Sequence, residues 1–433
     1  MSYSVPFALI NGRLLDPSSG LDQTGGVLID QGLITDIGSH INIKYCERQK
    51  IPFQDCQGHC IAPGLIDMRM QVRVSGATLT ESLSSTLQAA AAGGVTSMVC
   101  LPNTKPILDH AEVVSYLRHA ANQAQKTKLY CYGSMTQNLA GQQLSEMGYL
   151  QQAGVIGFTD GMKAVDNPKV FWKALSYAKT FKSLILQYAE DPRLAEGTLA
   201  TQSYLSTKMG LPSVPTCAES MQIGRDLHFV ALTQSPYHSF PITTKTAAGI
   251  ISQAKQHQLP VSCSTSPAYF CLNEQAIQGY QTLAKLSPPL REESDRLAVI
   301  EGLKNGIIDC ITSDHSPQDD DSKKTTFVQS SAGAAGLETF FPLSLQLYHQ
   351  HGMGLLALLK CLTSNPADIL GLPQGRLQIG RPADMVVFDV AKAYAINIHA
   401  FHGQAKNSPF HHFPVKGKIL QTYVNGRQIY NNF

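Results

Sequence analysis

Residues 63–76 read PGLIDMRMQVRVSG. A Pro-Gly pair punctuates the chain, and the apolar run behind it opens a strand. Successive side chains on a strand alternate, so Arg69, Gln71 and Arg73 share one face while Met70 and Val72 share the other. A polar triplet at the end of an apolar strand is out of place in a core. It marks the strand end as a position to interrogate for chemistry.

Seven further runs have the same character. They are VTSMVCLP (95–102), KLYCYGSM (128–135), VIGFTD (155–160), SLILQYAE (183–190), YHSFPIT (237–243), PVSCSTSP (260–267) and IIDCITSDHSP (307–317). Helical patterns fall between them, at 79–92, 111–125, 169–179 and 244–257. Eight strand–helix alternations predict an α/β fold built on a (β/α)8 TIM-like barrel. In that architecture chemistry gathers at the carboxyl ends of the strands, and the face carrying Arg69 and Gln71 points inward. Residues 1–60 instead alternate apolar and polar residues in short runs between Gly-rich turns, and residues 375–433 do the same. The Asn425-Gly426 pair is a hairpin signal. The two ends are therefore expected to form one small discontinuous β-sandwich domain, with the barrel occupying residues 61–374.

Composition narrows the function. Of 433 residues, 43% are apolar and 15% charged, which is globular rather than disordered. The formal charge of +2 and the lack of a Lys/Arg run argue against nucleic acid as partner. No stretch stays apolar for about 18 residues, so no membrane span is expected. The N-terminus lacks the basic and apolar segments of a signal peptide. Ten scattered cysteines read as reduced thiols of a cytoplasmic protein. Cys56 and Cys60 are the closest pair, and no second pair at zinc-site spacing follows them.

The ordered set of motifs resembles the dihydroorotase branch of the amidohydrolase superfamily, from about residue 7 to 429. Pro-Gly-Leu-Ile-Asp-Met resembles its first barrel strand, and Leu101-Pro102-Asn103-Thr104-Lys105-Pro106 its second. Pro215-Thr216-Cys217-Ala218-Glu219 with Arg225, Ser287-Pro288-Pro289-Leu290-Arg291 and Gly336-Leu337-Glu338-Thr339 are similar to further landmarks. The resemblance implies that Arg73 and Asn103 bind a substrate carboxylate, although Asn103 also reads as a turn residue. It also implies a catalytic metal, zinc in active relatives, and here the match fails. Arg69 and Gln71 stand where the family has His-x-His, Tyr188 stands for the His of His-Ala-Glu, and Pro241 for a His on the sixth strand. Arginine has no usable lone pair, and the glutamine amide is a poor zinc ligand. The seventh strand has Ser-Pro-Ala-Tyr at 266–269 for Thr-Pro-His-His, and Gln318 replaces a last histidine.

Two acids survive. Asp314, in Thr312-Ser313-Asp314-His315, matches the family's metal-binding general acid/base. Asp160 reads as a remnant ligand, the alternative being a loop aspartate that caps its turn. Two inward carboxylates without a cation are costly to bury, so the Arg69 guanidinium is expected to pair with Asp314, Asp160 or both. The reading that follows is a non-catalytic dihydroorotase homologue with no metal and no cofactor. It would serve as a structural or regulatory partner of the aspartate transcarbamoylase catalytic chain in pyrimidine biosynthesis, as a homodimer or higher oligomer. One alternative is a metal-dependent cyclic amidohydrolase with an altered site, drawing ligands from His238, His315 or His399, His402, His411 and His412. These histidines read equally as core or surface-loop residues. The other alternative is a carboxylate-binding module built on Arg73 and Asn103.

Overall fold

The computed structural model describes residues 6–72 and 80–433. Eight parallel strands form the expected barrel. In order they are Leu65–Met70, Val95–Cys100, Lys128–Cys131 continued by Gly133–Ser134, Phe158–Thr159, Ile185–Tyr188, Tyr237–Phe240, Val261–Thr265 and Cys310–Ile311. A bridge between Met70 and His315 brings the end of the first strand to the end of the eighth. Ile66, Met68, Val99, Leu101, Tyr132, Leu186, Tyr188 and Phe240 form one buried cluster. They come from strands on all sides of the ring, so they meet in its interior.

The helices cover the outside of the ring because their apolar residues recur at helical spacing. In Ala111–Ala124 the buried positions are Val114, Leu117 and Ala121. Start signals are satisfied by side chains. Ser82 accepts the Ser85 N–H ahead of Leu83–Ala92, and Thr244 accepts the Ala247 N–H ahead of Lys245–Gln256. Each such cap stabilises its helix by about 1 kcal/mol. At the entry to the first strand, a Cβ on Gly64 would stand 2.1 Å from Thr96 Oγ1, so only glycine fits there.

The two chain ends join in a single eight-stranded sheet. Cys60–Pro63 pairs with Met385–Ala395 on one side and with Phe7–Asp16 on the other. Pro414–Val424 and Arg427–Asn431 extend one edge, Leu21–Asp30 and Leu33–Gly38 the other. Asn425 and Gly426 both have positive φ, 47° and 71°, as a two-residue hairpin turn demands. Among the described residues no helix is long and apolar enough to cross a membrane.

Candidate functional site

The site is built where the first and eighth strands end side by side. Arg69 is only 2% exposed. Its Nη1 donates to Asp314 Oδ1, and its Nη2 lies 3.0 Å from Met162 Sδ. The guanidinium carbon lies 5.0 Å from the centre of the Phe240 ring and 5.9 Å from that of Tyr188. A cation over two aromatic faces is stabilised by their quadrupoles. Arg69 Nε is buried without a hydrogen-bond partner among the described residues. The residues at two of the positions read as lost ligands thus meet, with Arg69 the cation and Tyr188 part of its cage. Pro241 follows Phe240 and supplies no donor. Gln71, the fourth, donates from Nε2 to Ser316 Oγ at 2.9 Å, while its backbone N–H reaches the His315 carbonyl at 2.9 Å.

Burial pushes the Asp314 carboxyl up from 3.8 to about 6, and nearby Asp67 adds to the rise; the Arg69 charge opposes it. Asp314 therefore exchanges its proton near neutral pH. Its Oδ2 takes no hydrogen bond from the described residues.

Asp160 does not join the pair. Its Oδ1 accepts the N–H groups of Met135 and Thr136 at 3.0 and 2.9 Å, and its Oδ2 accepts the Thr136 hydroxyl. This carboxylate anchors the loop after the third strand, where three donors converge on it, as the loop-capping alternative expects. Burial lifts its carboxyl to about 6.

A cavity of about 230 Å³ opens beside Asp314. Gln71, Asn103, Ser266, Ser287, Ser316 and Gln318 line it with amides and hydroxyls. The Ser266 hydroxyl is buried there with no partner. Tyr188 meets Ser287 at 2.9 Å, oxygen to oxygen. Asn103 lines this cavity, whereas Arg73 lies outside the described residues. Beyond Met162 and Leu286 a wider cavity of about 650 Å³ carries mixed charge from Lys163, Glu190 and Arg193.

Of the histidines proposed as substitute ligands, His315 stands beside Asp314 with its ring held by Glu81 and Gly336, and the others lie elsewhere. His238 is buried between Ser262 Oγ at 2.8 Å and Ser264 Oγ at 3.0 Å, and desolvation drops it to about 3. His411 packs against His412 ring to ring and against His399 edge to face, and His402 pairs with Glu338 at 3.0 Å. Cys56 and Cys60 are free thiols, both raised by burial.

Two acids central to the site escaped the sequence reading. Asp67 accepts the Ser313 N–H at 3.0 Å and the Ser313 hydroxyl. Glu81 Oε2 lies 2.6 Å from His315 Nε2. The signal for Asp67 was present, a carboxylate inside an apolar strand. Glu81, just ahead of the Leu83–Ala92 helix, carried no comparable signal.

An eight-stranded parallel barrel with an acid at the end of its last strand, joined to a sheet made from both termini, defines an amidohydrolase. Residues 58–247 match the dihydro-orotase-like family and residues 228–429 the amidohydrolase family. The chain is 38% identical to a dihydroorotase of Anaplasma phagocytophilum over 98% of this chain and 95% of that one. It is 36% identical to a dihydroorotase of Syntrophotalea carbinolica over 98% of both. The chain belongs to the dihydroorotase family. In fold it is similar to L-hydantoinase from Arthrobacter aurescens, with a TM-score of 0.86 at 22% identity over 98% of this chain and 96% of that one. Dihydropyrimidinase from Brevibacillus agri superposes with a TM-score of 0.80 at 21% identity, covering 99% and 95% of the two chains.

These relatives correct two expectations. A chain without enzymatic activity is contradicted by relatives that bear an enzyme's name over nearly the whole length. A chain without a cofactor is contradicted as well, since amidohydrolases and dihydroorotases are metal-dependent. The six family ligand positions nevertheless hold Arg69, Gln71, Asp160, Tyr188, Pro241 and Asp314. Asp160 is occupied by a loop and Asp314 by a guanidinium, and among the described residues no three His, Cys, Asp or Glu gather as a metal-holding group. Zinc does not fit this donor set.

Proposed function

We propose that this chain is a cyclic amide hydrolase that interconverts dihydroorotate and carbamoyl aspartate. The observation that carries the reading is Asp314, a carboxyl at about 6 on the edge of an amide-lined cavity, with one oxygen held by Arg69 and the other unengaged by the described residues. Ring opening needs a group that takes a proton from the attacking water and returns it to the departing nitrogen. The carbonyl carbon gains the water oxygen, the carbon–nitrogen bond breaks, and a carboxylate and a ureido group result. A base with its titration point near the working pH suits both transfers. The Asp314 carboxylate is the proton acceptor and donor. Arg69 orients it and keeps a positive charge where negative charge develops on the carbonyl oxygen. Asn103 and Gln71 offer hydrogen bonds to the ring amide and its substituent.

The test is ring opening of dihydroorotate, and closure of carbamoyl aspartate, by the purified full chain with and without added zinc. Asp314→Asn serves as the control. Turnover in the wild type that falls about a hundredfold or more in Asp314→Asn is expected. A wild type no faster than Asp314→Asn in every condition would overturn the assignment.

A further inference from the structure

Asp314 holds an unusual backbone conformation. Its φ is +52°, in the left-handed region that residues other than glycine rarely occupy without support. The support comes from its two neighbours. On one side Ser313 is fixed by Asp67 through both its N–H and its hydroxyl. On the other side His315 is fixed at every polar atom it has.

The His315 Nδ1 accepts the Gly336 N–H at 3.2 Å. That leaves the ring proton on Nε2, which donates to Glu81 at 2.6 Å. The His315 N–H donates to Ser313 Oγ at 3.0 Å, and its carbonyl accepts from Gln71 at 2.9 Å. Gly336 packs so closely here that a Cβ would stand 2.2 Å from the Ser313 carbonyl oxygen. Glu81 is fully buried and is itself held by the hydroxyls of Ser85 and Thr86 and by the Ala405 backbone. It approaches from the start of the first outer helix, opposite the strand that carries Arg69 and Asp67.

We propose that Glu81, acting through the His315 ring, is a positioning residue that holds Asp314 in its left-handed conformation and aims its carboxylate at Arg69 and the cavity. The role of Asp314 in this statement rests on the function proposed above. Asp67 and Glu81 clamp the residues before and after Asp314, and neither touches its carboxylate by a hydrogen bond. Loosening one clamp frees the residue between them to relax to negative φ, which carries its side chain off Arg69.

The experiment compares Glu81→Ala and Glu81→Gln in the full chain. Three readouts are used: kcat and KM for dihydroorotate, thermal unfolding, and a crystal structure of Glu81→Ala. A misplaced catalytic group lowers kcat rather than substrate binding, so Glu81→Ala should lose about a hundredfold in kcat with KM within about threefold. Glu81→Gln keeps an acceptor for the His315 Nε2–H and should recover most of the rate. In the crystal, Asp314 of Glu81→Ala should leave Arg69. The proposal is overturned if Glu81→Ala keeps wild-type kcat, or if its Asp314 remains left-handed and paired to Arg69. Should Glu81→Ala not fold, His315→Gln carries the same three readouts with the same outcomes. A wild type without turnover would remove the proposed reaction, and the crystallographic comparison alone would then decide the positioning.

Discussion

Replacing Arg69 by methionine removes the cation and keeps most of the volume, so it isolates the electrostatic part of the Arg69–Asp314 pair. In the wild type the Asp314 carboxyl sits at about 6 instead of 3.8. That difference of about two pH units, at about 1.4 kcal/mol each, means the ionised group costs the native state about 3 kcal/mol at pH 7. Arg69 opposes the rise. Without it the carboxyl moves further up and stays protonated to a higher pH than in the wild type. The native variant then holds a proton that the unfolded chain has released, so its stability falls by about 1.4 kcal/mol for each unit of rising pH. The wild type shows that slope only up to about pH 6, above which both states are ionised and this contribution is flat. The extra destabilisation of Arg69→Met should therefore grow as pH rises from 6 to 8, at a rate of up to about 1.4 kcal/mol per unit. Any packing difference adds the same amount at each pH. Urea unfolding of both proteins at the three pH values reads the differences directly. A difference that does not change between pH 6 and 8 would refute the pairing as the controlling interaction.

Three further outcomes are expected. Gly336→Ala places a methyl 2.2 Å from the Ser313 carbonyl oxygen, and a backbone clash of that size should lower stability by roughly 1–3 kcal/mol, read as a lower midpoint in thermal or urea unfolding. Burial holds His238 neutral down to about 3, so the native state binds fewer protons than the unfolded chain as pH falls below 6.5. Wild-type stability should drop relative to His238→Gln by up to about 1.4 kcal/mol per unit from pH 6.5 towards 3, and parallel pH curves for the two would exclude that role. Asp160→Ala leaves the Thr136 N–H without its acceptor, while the Met135 N–H keeps the Thr159 carbonyl at 3.2 Å; this should cost roughly 1–3 kcal/mol and expose the Thr136 amide to faster exchange.

Much of the site could be read in the chain because strand periodicity carries direction. Arg69 and Gln71 share a face, and both reach the eighth-strand loop, Arg69 at Asp314 and Gln71 at Ser316. Asp160 could not be read the same way. Its sequence neighbourhood is equally compatible with a ligand and with a loop anchor. The choice was made by the N–H groups of residues 135 and 136, which lie more than twenty positions away. His238 and the C-terminal histidines posed the same difficulty. Only packing shows that the first is enclosed by Ser262 and Ser264 and that the others stack at the surface.

The chain by itself determined the barrel, the sheet assembled from its two ends, and the residues that stand at each strand end. Those conclusions rest on local alternation, turn residues and the donor atoms of single side chains, all of which are written residue by residue. Tertiary structure decided which acids meet the arginine and how Asp314 is held. Asp67 and Glu81 clamp Ser313 and His315 across separations of more than two hundred residues, and such partners are selected by where the closed barrel brings strand ends together.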